Sequence, residues 1–351
     1  MFPESFAETW VERLSAPGEL VLDPFCGRGT APFQAMLMGR QAIANDINPV
    51  AYCVTRAKTN APSAAALRRR VTQLEKRCSG ESADATEAGL PPFFASAYSP
   101  RTLSQVSFLR RSLRWRESDV DCMLAALILG ILHGESQKTR SCLSNQMPRT
   151  ISTKPAYSIR FWQRHGMTPP DREVFGLLRE QIAFRYASEP LAARAQVLAG
   201  DFRDLHRKLA DLRRQVKLIV TSPPYLDTTN YEEDQWLRLW FLGGPPHPTY
   251  KEISRDDRHE NPDRYWQLIG DLWRVAGAML APKGHLVVRL GGRKLDPNRL
   301  ARHLEGASVF ARRRVVLKST ETSEIKGRQT DSFRPGSKGC RLEVDCCFQV
   351  F

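Results

Sequence analysis

The segment Ser222-Pro223-Pro224-Tyr225 brings together residue types that could hold a planar group carrying an amine. It follows the apolar run 218–221, and two successive prolines, which lack N–H donors and have a fixed φ, end that predicted strand abruptly. The Ser222 hydroxyl and the free Pro223 carbonyl could accept amine hydrogens, and the Tyr225 ring could stack on the plane. Open α/β sheets place their chemistry at such carboxyl ends of strands. A proline-rich turn after a core strand is the alternative interpretation.

A second segment, Asp23-Pro24-Phe25-Cys26-Gly27-Arg28-Gly29-Thr30, has the pattern of a loop between a strand and a helix. An apolar run precedes it, a helical pattern with a glycine stop follows over 31–39, and a second apolar run ends at Asp46. Gly27 and Gly29 would let a ligand approach the backbone closely. Asp46 is placed to accept hydrogen bonds from ribose hydroxyls, so the pattern predicts a nucleoside-binding βαβ unit.

Pro32 argues against the dinucleotide version of this unit. It stands where the third glycine of G-x-G-x-x-G would fall, and few phosphate-facing N–H groups remain at the start of that helix. A cofactor with a ribose but no pyrophosphate, such as S-adenosylmethionine, fits better than a nicotinamide dinucleotide. Aromatic faces such as those of Phe25 and Tyr225 could attract its sulfonium cation.

Together, the loop 23–30 and the segment 221–225 resemble the motifs of the amino-methyltransferase family of DNA methylases. That family methylates cytosine N4 or adenine N6 with S-adenosylmethionine. The resemblance covers roughly residues 1–60 and 197–351 and implies an α/β, Rossmann-like class I methyltransferase fold. Its sheet would be mostly parallel and seven-stranded, with a final antiparallel hairpin. The serine form of the motif resembles the cytosine-N4 branch, whereas Asp or Asn in place of Ser222 would indicate adenine.

The same resemblance implies roles for individual residues. Ser222, Pro223, Pro224 and Tyr225 would be catalytic. Phe2 and Pro3 would lie near the methionine end of the cofactor, Asp201 would hold the adenine amine, and Phe202 would lie against the adenine ring. The cofactor-binding residues implied by the motifs are Phe2, Pro3, Asp23, Phe25, Gly27, Gly29, Thr30, Asp46, Asp201 and Phe202. Neither a metal nor a covalent enzyme intermediate is expected.

The charge of the chain indicates a polyanionic partner. Fifty-two Lys and Arg residues against 38 Asp and Glu residues give a formal net charge of +14, and cationic side chains on phosphates drive most nucleic-acid affinity. The alternative is a basic protein without such a partner. The expected partner is double-stranded DNA with the target base flipped out, and RNA is disfavoured.

The location of the protein is predicted from features that the sequence lacks. No apolar run reaches the roughly eighteen residues of a membrane span, and the N-terminus shows no signal-peptide pattern. The eight cysteines have no C-x-x-C spacing, which favours reduced thiols. We therefore expect a cytoplasmic protein without a membrane partner.

The stretch 61–196 is predicted to be a large, mainly helical insertion and a possible nucleic-acid recognition region between the core segments 1–60 and 197–351. Helical patterns cover 64–77 and 118–132, the second opened by a capping box of Ser118 and Asp121. Over 141–167, predicted as a loop, basic residues alternate with aromatic rings, which suits distorted nucleic acid, although the rings could instead fill a core. The predicted nucleic-acid contacts are Arg110, Arg111, Arg114, Arg149 and Arg160, with Arg312, Arg313 and Arg314 before the final hairpin.

Three functional hypotheses remain open on the sequence. The first is a site-specific DNA methyltransferase acting on cytosine N4, or else on adenine N6. The second is the same core acting on an amine in structured RNA, such as a guanine N2. The third is a nucleic-acid-binding module that retains the cofactor fold without catalysis, against which the intact Gly27, Gly29, Asp46, Ser222 and Tyr225 count.

Overall fold

The computed structural model describes residues 2–80, 89–134, 142–147, 154–225, 231–249, 252–253, 261–292, 296–324 and 342–351. The chain forms two compact units. The first consists of Met1–Thr55, Ala193–Thr229 and Ser254–Phe351, and the second of Arg56–Ala192 and Asn230–Ile253. The second unit thus contains most of the predicted insertion 61–196, whose last residues 193–196 belong to the first unit. It also contains residues 230–253, which the sequence analysis assigns to the core.

A seven-stranded sheet in the order β3-β2-β1-β4-β5-β7-β6 organises the first unit. The strands are β1 (Leu20–Asp23), β2 (Gln41–Asp46), β3 (Gln196–Ala199), β4 (Val216–Thr221), β5 (Leu280–Gly292), β6 (Val315–Glu324) and β7 (Leu342–Val350). The first five are parallel, and β7 lies antiparallel between β5 and β6. This order, with its final antiparallel hairpin, confirms the predicted Rossmann-like class I methyltransferase fold.

The helices of the described residues follow one another along the chain as α1 to α14. They are α1 (Glu4–Leu14), α2 (Thr30–Leu37), α3 (Pro49–Thr59), α4 (Ala64–Ser79), α5 (Pro92–Ala97), α6 (Pro100–Ser112), α7 (Asp119–Ile131), α8 (Pro155–Arg164), α9 (Val174–Arg185), α10 (Leu205–Lys208), α11 (Tyr231–Asp234), α12 (Trp236–Phe241), α13 (Pro262–Met279) and α14 (Pro297–Ala307). None of them is both long and apolar enough to cross a membrane.

Both faces of the sheet are buried, which explains why residues 218–220 of the central strand β4 are all apolar and do not alternate with polar residues. Along β4, Leu218 and Val220 pack in one core cluster with α1 and α2, whereas Ile219 packs in the other with α13 and α14. Successive side chains of a strand point to opposite faces. At the carboxyl ends of the strands, polar residues replace the apolar ones.

The second unit is helical and has a core of its own. The Ser118 side chain accepts the backbone N–H of Asp121 at the start of α7, as the capping box predicts. Trp236 and Trp240 on α12 are buried in this core.

The prediction of a loop over 141–167 is wrong for residues 155–164, which form α8. Pro155 opens this helix at a position that proline favours. Trp162 is buried and its Nε1 donates to the Gln146 carbonyl at 2.9 Å. This ring fills the core of the second unit and has no face to offer a base, whereas Tyr157 on the same helix is exposed.

Candidate active site

The site lies at the carboxyl edge of the sheet, where β1, β2 and β4 end at Asp23, Asp46 and Thr221. β1 is paired with both of the other strands. The Thr221 hydroxyl donates to Oδ1 of Asp23 at 2.6 Å. This bond joins the last residue before Ser-Pro-Pro-Tyr to the first residue of the glycine loop, so the two motifs of the sequence start side by side.

The two loop glycines differ in what surrounds them. Both have positive φ, 51° at Gly27 and 72° at Gly29. A Cβ on Gly29 would lie 2.8 Å from Oγ1 of Thr55, so only glycine fits against α3. A Cβ on Gly27 would meet no atom within 4 Å. The backbone at Gly27 therefore faces open space, as a loop that a ligand approaches closely should.

Asp46 ties the glycine loop to β2. Its Oδ2 accepts the N–H of Gly27 and its Oδ1 accepts the N–H of Asn48, both at 2.9 Å. Burial raises the pKa of this carboxyl, although the two N–H donors act in the opposite direction. The backbone N–H of Ile47 also acts on this carboxyl. A carboxylate can accept about four hydrogen bonds, so Asp46 can still accept a ribose hydroxyl.

Asp23 has a carboxylate oxygen without a partner among the described residues. The residue is buried, and Oδ1 accepts from the Thr221 hydroxyl and from the N–H of Phe25, the latter at 3.1 Å. No donor among the described residues reaches Oδ2, which is also buried. Burial raises the pKa of Asp23 to about 7. An orphaned buried carboxylate oxygen favours a ligand that brings a donor, and the ammonium group of S-adenosylmethionine is such a donor.

The residues predicted to hold the adenine lie next to this loop. The rings of Phe25 and Phe202 are 4.5 Å apart between centroids, and Phe202 is buried. Asp201 begins the turn after β3, where Arg203 binds both of its carboxylate oxygens, at 3.0 and 2.6 Å. A base amine bound at Asp201 would have to share this carboxylate with Arg203. Thr30 is the first residue of α2.

Of the predicted catalytic residues, Tyr225 lines a cavity of about 780 Å³. Its walls include Phe2 and Pro3, predicted to lie near the cofactor, together with Tyr225 and Arg289. Ser222 Oγ donates to the Tyr225 hydroxyl at 3.3 Å, and this hydroxyl donates to Oε1 of Glu343 at 3.0 Å. Burial and the charge of Glu343 raise the pKa of Tyr225, so its hydroxyl remains protonated at neutral pH.

Sequence reasoning missed three charged residues in the wall of this cavity. Arg289 on β5 binds both oxygens of Asp345, with Nε–Oδ1 at 2.6 Å and Nη2–Oδ2 at 2.7 Å, and its Nη1 lies 3.1 Å from Oε2 of Glu343. All three residues are at most 7% exposed. The Arg289 guanidinium also lies over the ring of Phe6, 3.9 Å from the centroid. Acidic residues at alternate positions of an apolar strand were the signal that could have revealed them.

Two of the predicted nucleic-acid contacts are instead bound to backbone carbonyls. Arg110 donates from Nε to Trp240 O at 2.7 Å and from Nη2 to Gly244 O at 3.0 Å, and burial lowers its pKa. Arg313 donates to the carbonyls of Gly277, Leu280, Ala281 and Phe351. Guanidinium groups occupied in this way hold the fold together and do not fit the predicted phosphate contacts.

Position also separates Arg312, Arg313 and Arg314 from the site. β6 begins immediately after them at Val315, which pairs with Val350, and Val350 pairs with Gly284 near the start of β5. They therefore lie at the amino edge of the sheet, opposite the carboxyl edge that carries Asp23 and Ser222. Of the other predicted contacts, Arg111, Arg114 and Arg160 are exposed, and Arg149 lies outside the described residues.

Comparison with known proteins agrees with this geometry. Residues 1–55 match the family model described as DNA methylase, of the N6/N4 methyltransferases. This confirms the resemblance that the motifs predicted and supports a methyltransferase. The matched region contains α1, the glycine loop and Asp46. In the part of the chain that the structure describes, no group of three or more His, Cys, Asp or Glu side chains could hold a metal ion.

Other comparisons give only distant likenesses. No curated protein sequence matches the chain. The rRNA methyltransferase aviRa from Streptomyces viridochromogenes is similar at 13% identity and a TM-score of 0.36, over 99% of this chain and 85% of that chain. A geranyl diphosphate methyltransferase in complex with SAM is similar at 10% identity and a TM-score of 0.32, over 99% and 84%. TM-scores this low carry no argument, so the fold assignment rests on the strand order.

Proposed function

We propose that the chain is a site-specific DNA methyltransferase that uses S-adenosylmethionine to methylate the exocyclic amine of a flipped base, with cytosine N4 as the target atom. The observation that carries this proposal is the 2.6 Å hydrogen bond between Thr221 and Asp23. It sets a segment suited to an amine beside a loop suited to a nucleoside cofactor. Methyl transfer requires its two reactants to lie side by side in this way.

The Ser222 hydroxyl and the Pro223 carbonyl would activate the amine. The lone pair of an exocyclic amine is conjugated with the ring, which makes the nitrogen a poor nucleophile. Acceptors that hold its two hydrogens favour a more tetrahedral nitrogen with a localised lone pair. Because these acceptors belong to a rigid segment that follows a buried strand, their positions need not change during the reaction.

Tyr225 would hold the flipped base. A target amine inside a duplex cannot be reached, and flipping costs about a few kcal/mol of stacking and pairing. We call residues 222–225 the clamp. The Tyr225 ring at its end returns part of this energy by stacking on the base. The Tyr225 hydroxyl is bound to Glu343, so the ring is fixed before the base arrives.

The cofactor would lie against the glycine loop. When bound, S-adenosylmethionine supplies an electrophilic methyl group on a sulfonium. Asp23 would accept a hydrogen bond from its ammonium group through the free Oδ2, and Asp46 would accept from its ribose hydroxyls. Phe202 would lie against its adenine. The orphaned oxygen of Asp23 and the open space at Gly27 support this assignment.

Expression in a host without DNA methylation, followed by mass spectrometry of digested DNA and RNA, tests the proposal. We expect N4-methylcytosine in DNA. N6-methyladenine would overturn the choice of base, methylguanine in RNA would overturn the choice of nucleic acid, and the absence of any methylated base would overturn the enzymatic function.

A Ser222→Ala variant tests the role of the hydroxyl. Its turnover should fall about a hundredfold, because the hydrogen bond strengthens as the amine becomes tetrahedral. Its affinity for DNA should change much less, since an interaction made mainly in the transition state appears in kcat. Steady-state kinetics and DNA titration measure the two quantities. Wild-type turnover in this variant would leave activation to the Pro223 carbonyl alone.

A further inference from the structure

A chain of ionic and hydrogen bonds, buried at its charged end, continues from the clamp into the sheet, and the steps proposed above use only its bond between Tyr225 and Glu343. It runs from Asp345 through Arg289 to Glu343, and from Glu343 through Tyr225 to Ser222. The antiparallel register places Arg289 opposite Asp345, and Glu343 lies two residues away on the same face of β7. We call these three charged residues the ion triad.

We propose that the ion triad is a positioning device that fixes the direction of hydrogen bonding through Tyr225, so that Ser222 offers only lone pairs to the amine. This inference rests on the proposed function. It concerns how the clamp is prepared for an amine substrate and adds Arg289, Glu343 and Asp345 to the residues on which turnover depends.

Arg289 determines the direction of hydrogen bonding along this chain. A guanidinium group only donates hydrogen bonds, and it remains charged at every relevant pH. Asp345 occupies Nε and Nη2, and the remaining Nη1 is directed at Oε2 of Glu343. The ring of Phe6 covers the guanidinium. Glu343 is therefore held beside a fixed positive charge, as an ionised carboxylate that can only accept.

Glu343 in turn determines which way the hydroxyl groups of Tyr225 and Ser222 donate their hydrogens. Because Oε1 of Glu343 can only accept, the Tyr225 hydroxyl must donate its single hydrogen to it. The Tyr225 oxygen is then an acceptor, and the Ser222 hydroxyl donates its single hydrogen to that oxygen. Ser222 has no hydrogen left for the substrate. An amine that reaches Ser222 meets lone pairs and can donate without competition.

The burial of the triad supports a role beyond stability. Taking an arginine and two carboxylates out of water is costly, and apolar residues of similar volume are often as stabilising as a buried ion pair. Arg289, Glu343 and Asp345 are only 5%, 7% and 5% exposed. A hydrogen-bond chain with a fixed direction requires charged ends, and an apolar core cannot provide them.

Glu343→Gln tests this direction with little change of shape. Arg289 can only donate, so the carbonyl of the new amide must face Arg289 and its NH2 group must face Tyr225. The Tyr225 hydroxyl then accepts from the amide and donates to Ser222, whose hydrogen turns toward the substrate amine. We expect kcat to fall about tenfold to a hundredfold. The KM for DNA and the Kd for S-adenosylmethionine should stay within about twofold of the wild-type values.

A double variant separates positioning from stability. Tyr225→Phe keeps the ring but cuts the chain, and we expect it to lower kcat about tenfold without raising the KM for DNA. Adding Glu343→Gln to Tyr225→Phe should change kcat by less than about twofold, because the altered carboxyl group no longer reaches Ser222. A merely structural role would make Glu343→Gln equally harmful in both backgrounds, which would overturn the proposal.

Glu19→Gln is the matched control. It removes a carboxylate near the start of β1, where Glu19 lies 3.8 Å from Lys217, and should leave kcat unchanged. If Glu343→Gln does not fold, as judged by its thermal unfolding transition, wild-type kcat in Tyr225→Phe alone overturns the proposal. An inactive wild-type protein would overturn the proposed function, whereas an active wild type with an equally active Glu343→Gln variant would overturn only the positioning role.

Discussion

At the residue scale, Asp23 is the acid whose charge is most finely balanced. Its carboxyl group accepts two hydrogen bonds but is buried, and burial raises its pKa to about 7. The folded protein therefore binds a proton between about pH 4 and pH 7 that the unfolded chain has released. Stability should fall as the pH rises through this range. A bound ammonium group would reverse this preference by favouring the charged carboxylate.

This balance predicts that cofactor affinity depends on pH. Raising the pH from 6 to 8 should tighten S-adenosylmethionine binding, because the carboxylate that receives the ammonium group becomes ionised. Asp23→Asn should weaken binding and flatten this dependence, since the amide places an NH2 group where Oδ2 would accept. Calorimetric titration at several pH values measures both effects.

Asp211→Asn, a change at an exposed acid in the same unit, is the control and should leave the pH profile as in the wild type. If Asp23→Asn retained both the wild-type affinity and the wild-type profile, the ammonium group would have to bind elsewhere. The orphaned oxygen of Asp23 would then need another partner.

At the element scale, the site depends on parallel strands that end at one edge. This part was predictable, because an apolar run that stops at Asp23, Asp46 or Thr221 marks a strand end within a few residues of sequence. The role of the loop glycines was equally predictable, since a positive φ depends only on the local backbone. The pairing of β5 with β7 was not predictable, because it joins residues fifty or more positions apart and a shift of one residue would turn every side chain to the opposite face. The ion triad was missed for that reason.

Arginines show the same limit of sequence reasoning. Arg110 and Arg313 were counted as phosphate contacts because clustered cations suggest a nucleic-acid surface. Both guanidinium groups bind backbone carbonyls. A carbonyl partner has no side-chain signature, so only the folded chain distinguishes such a cation from its exposed neighbours. Arg312, the neighbour of Arg313, is exposed at the end of a short 3₁₀ turn.

This pair of neighbours yields a stability prediction. Arg313→Ala should lower the free energy of unfolding by about 1–3 kcal/mol, because it removes charged donors from several carbonyls at the amino edge of the sheet. Arg312→Ala should change stability by less than about 0.5 kcal/mol, as exposed substitutions usually do. Urea denaturation compares them. Equal stability in the two variants would mean that the Arg313 bonds contribute nothing in solution.

At the scale of the whole molecule, the cations that produce the net charge of +14 fall into two groups. Structural cations bind the folded chain, and surface cations face solvent. Arg110 and Arg313 belong to the first group. In the second unit, Arg114 and Arg160 belong to the other group, since both are exposed and the Arg114 guanidinium lies 3.9 Å from Glu117. Only exposed cations can release counterions from DNA when they meet phosphates. The predicted role of the second unit in nucleic-acid recognition therefore depends on cations of this kind.

We expect the double variant Arg114→Ala, Arg160→Ala to bind DNA more weakly than the wild type and with a flatter salt dependence. Each lost phosphate contact should reduce the slope of log Kd against log salt concentration by about one unit. Cofactor affinity should not change, because neither residue belongs to the unit that carries Asp23 and Asp46. Fluorescence anisotropy at several salt concentrations measures the slope.

Arg110→Ala provides the contrasting variant for this experiment. It removes one positive charge from the second unit, but the lost bonds are to Trp240 and Gly244, so it should lower stability and leave the salt slope unchanged. If Arg110→Ala flattened the slope while the double variant did not, the division between structural and surface cations would be reversed. An unchanged slope in both would place the phosphate contacts of the second unit on other cations, because a protein without phosphate contacts at these positions has no counterions to release there.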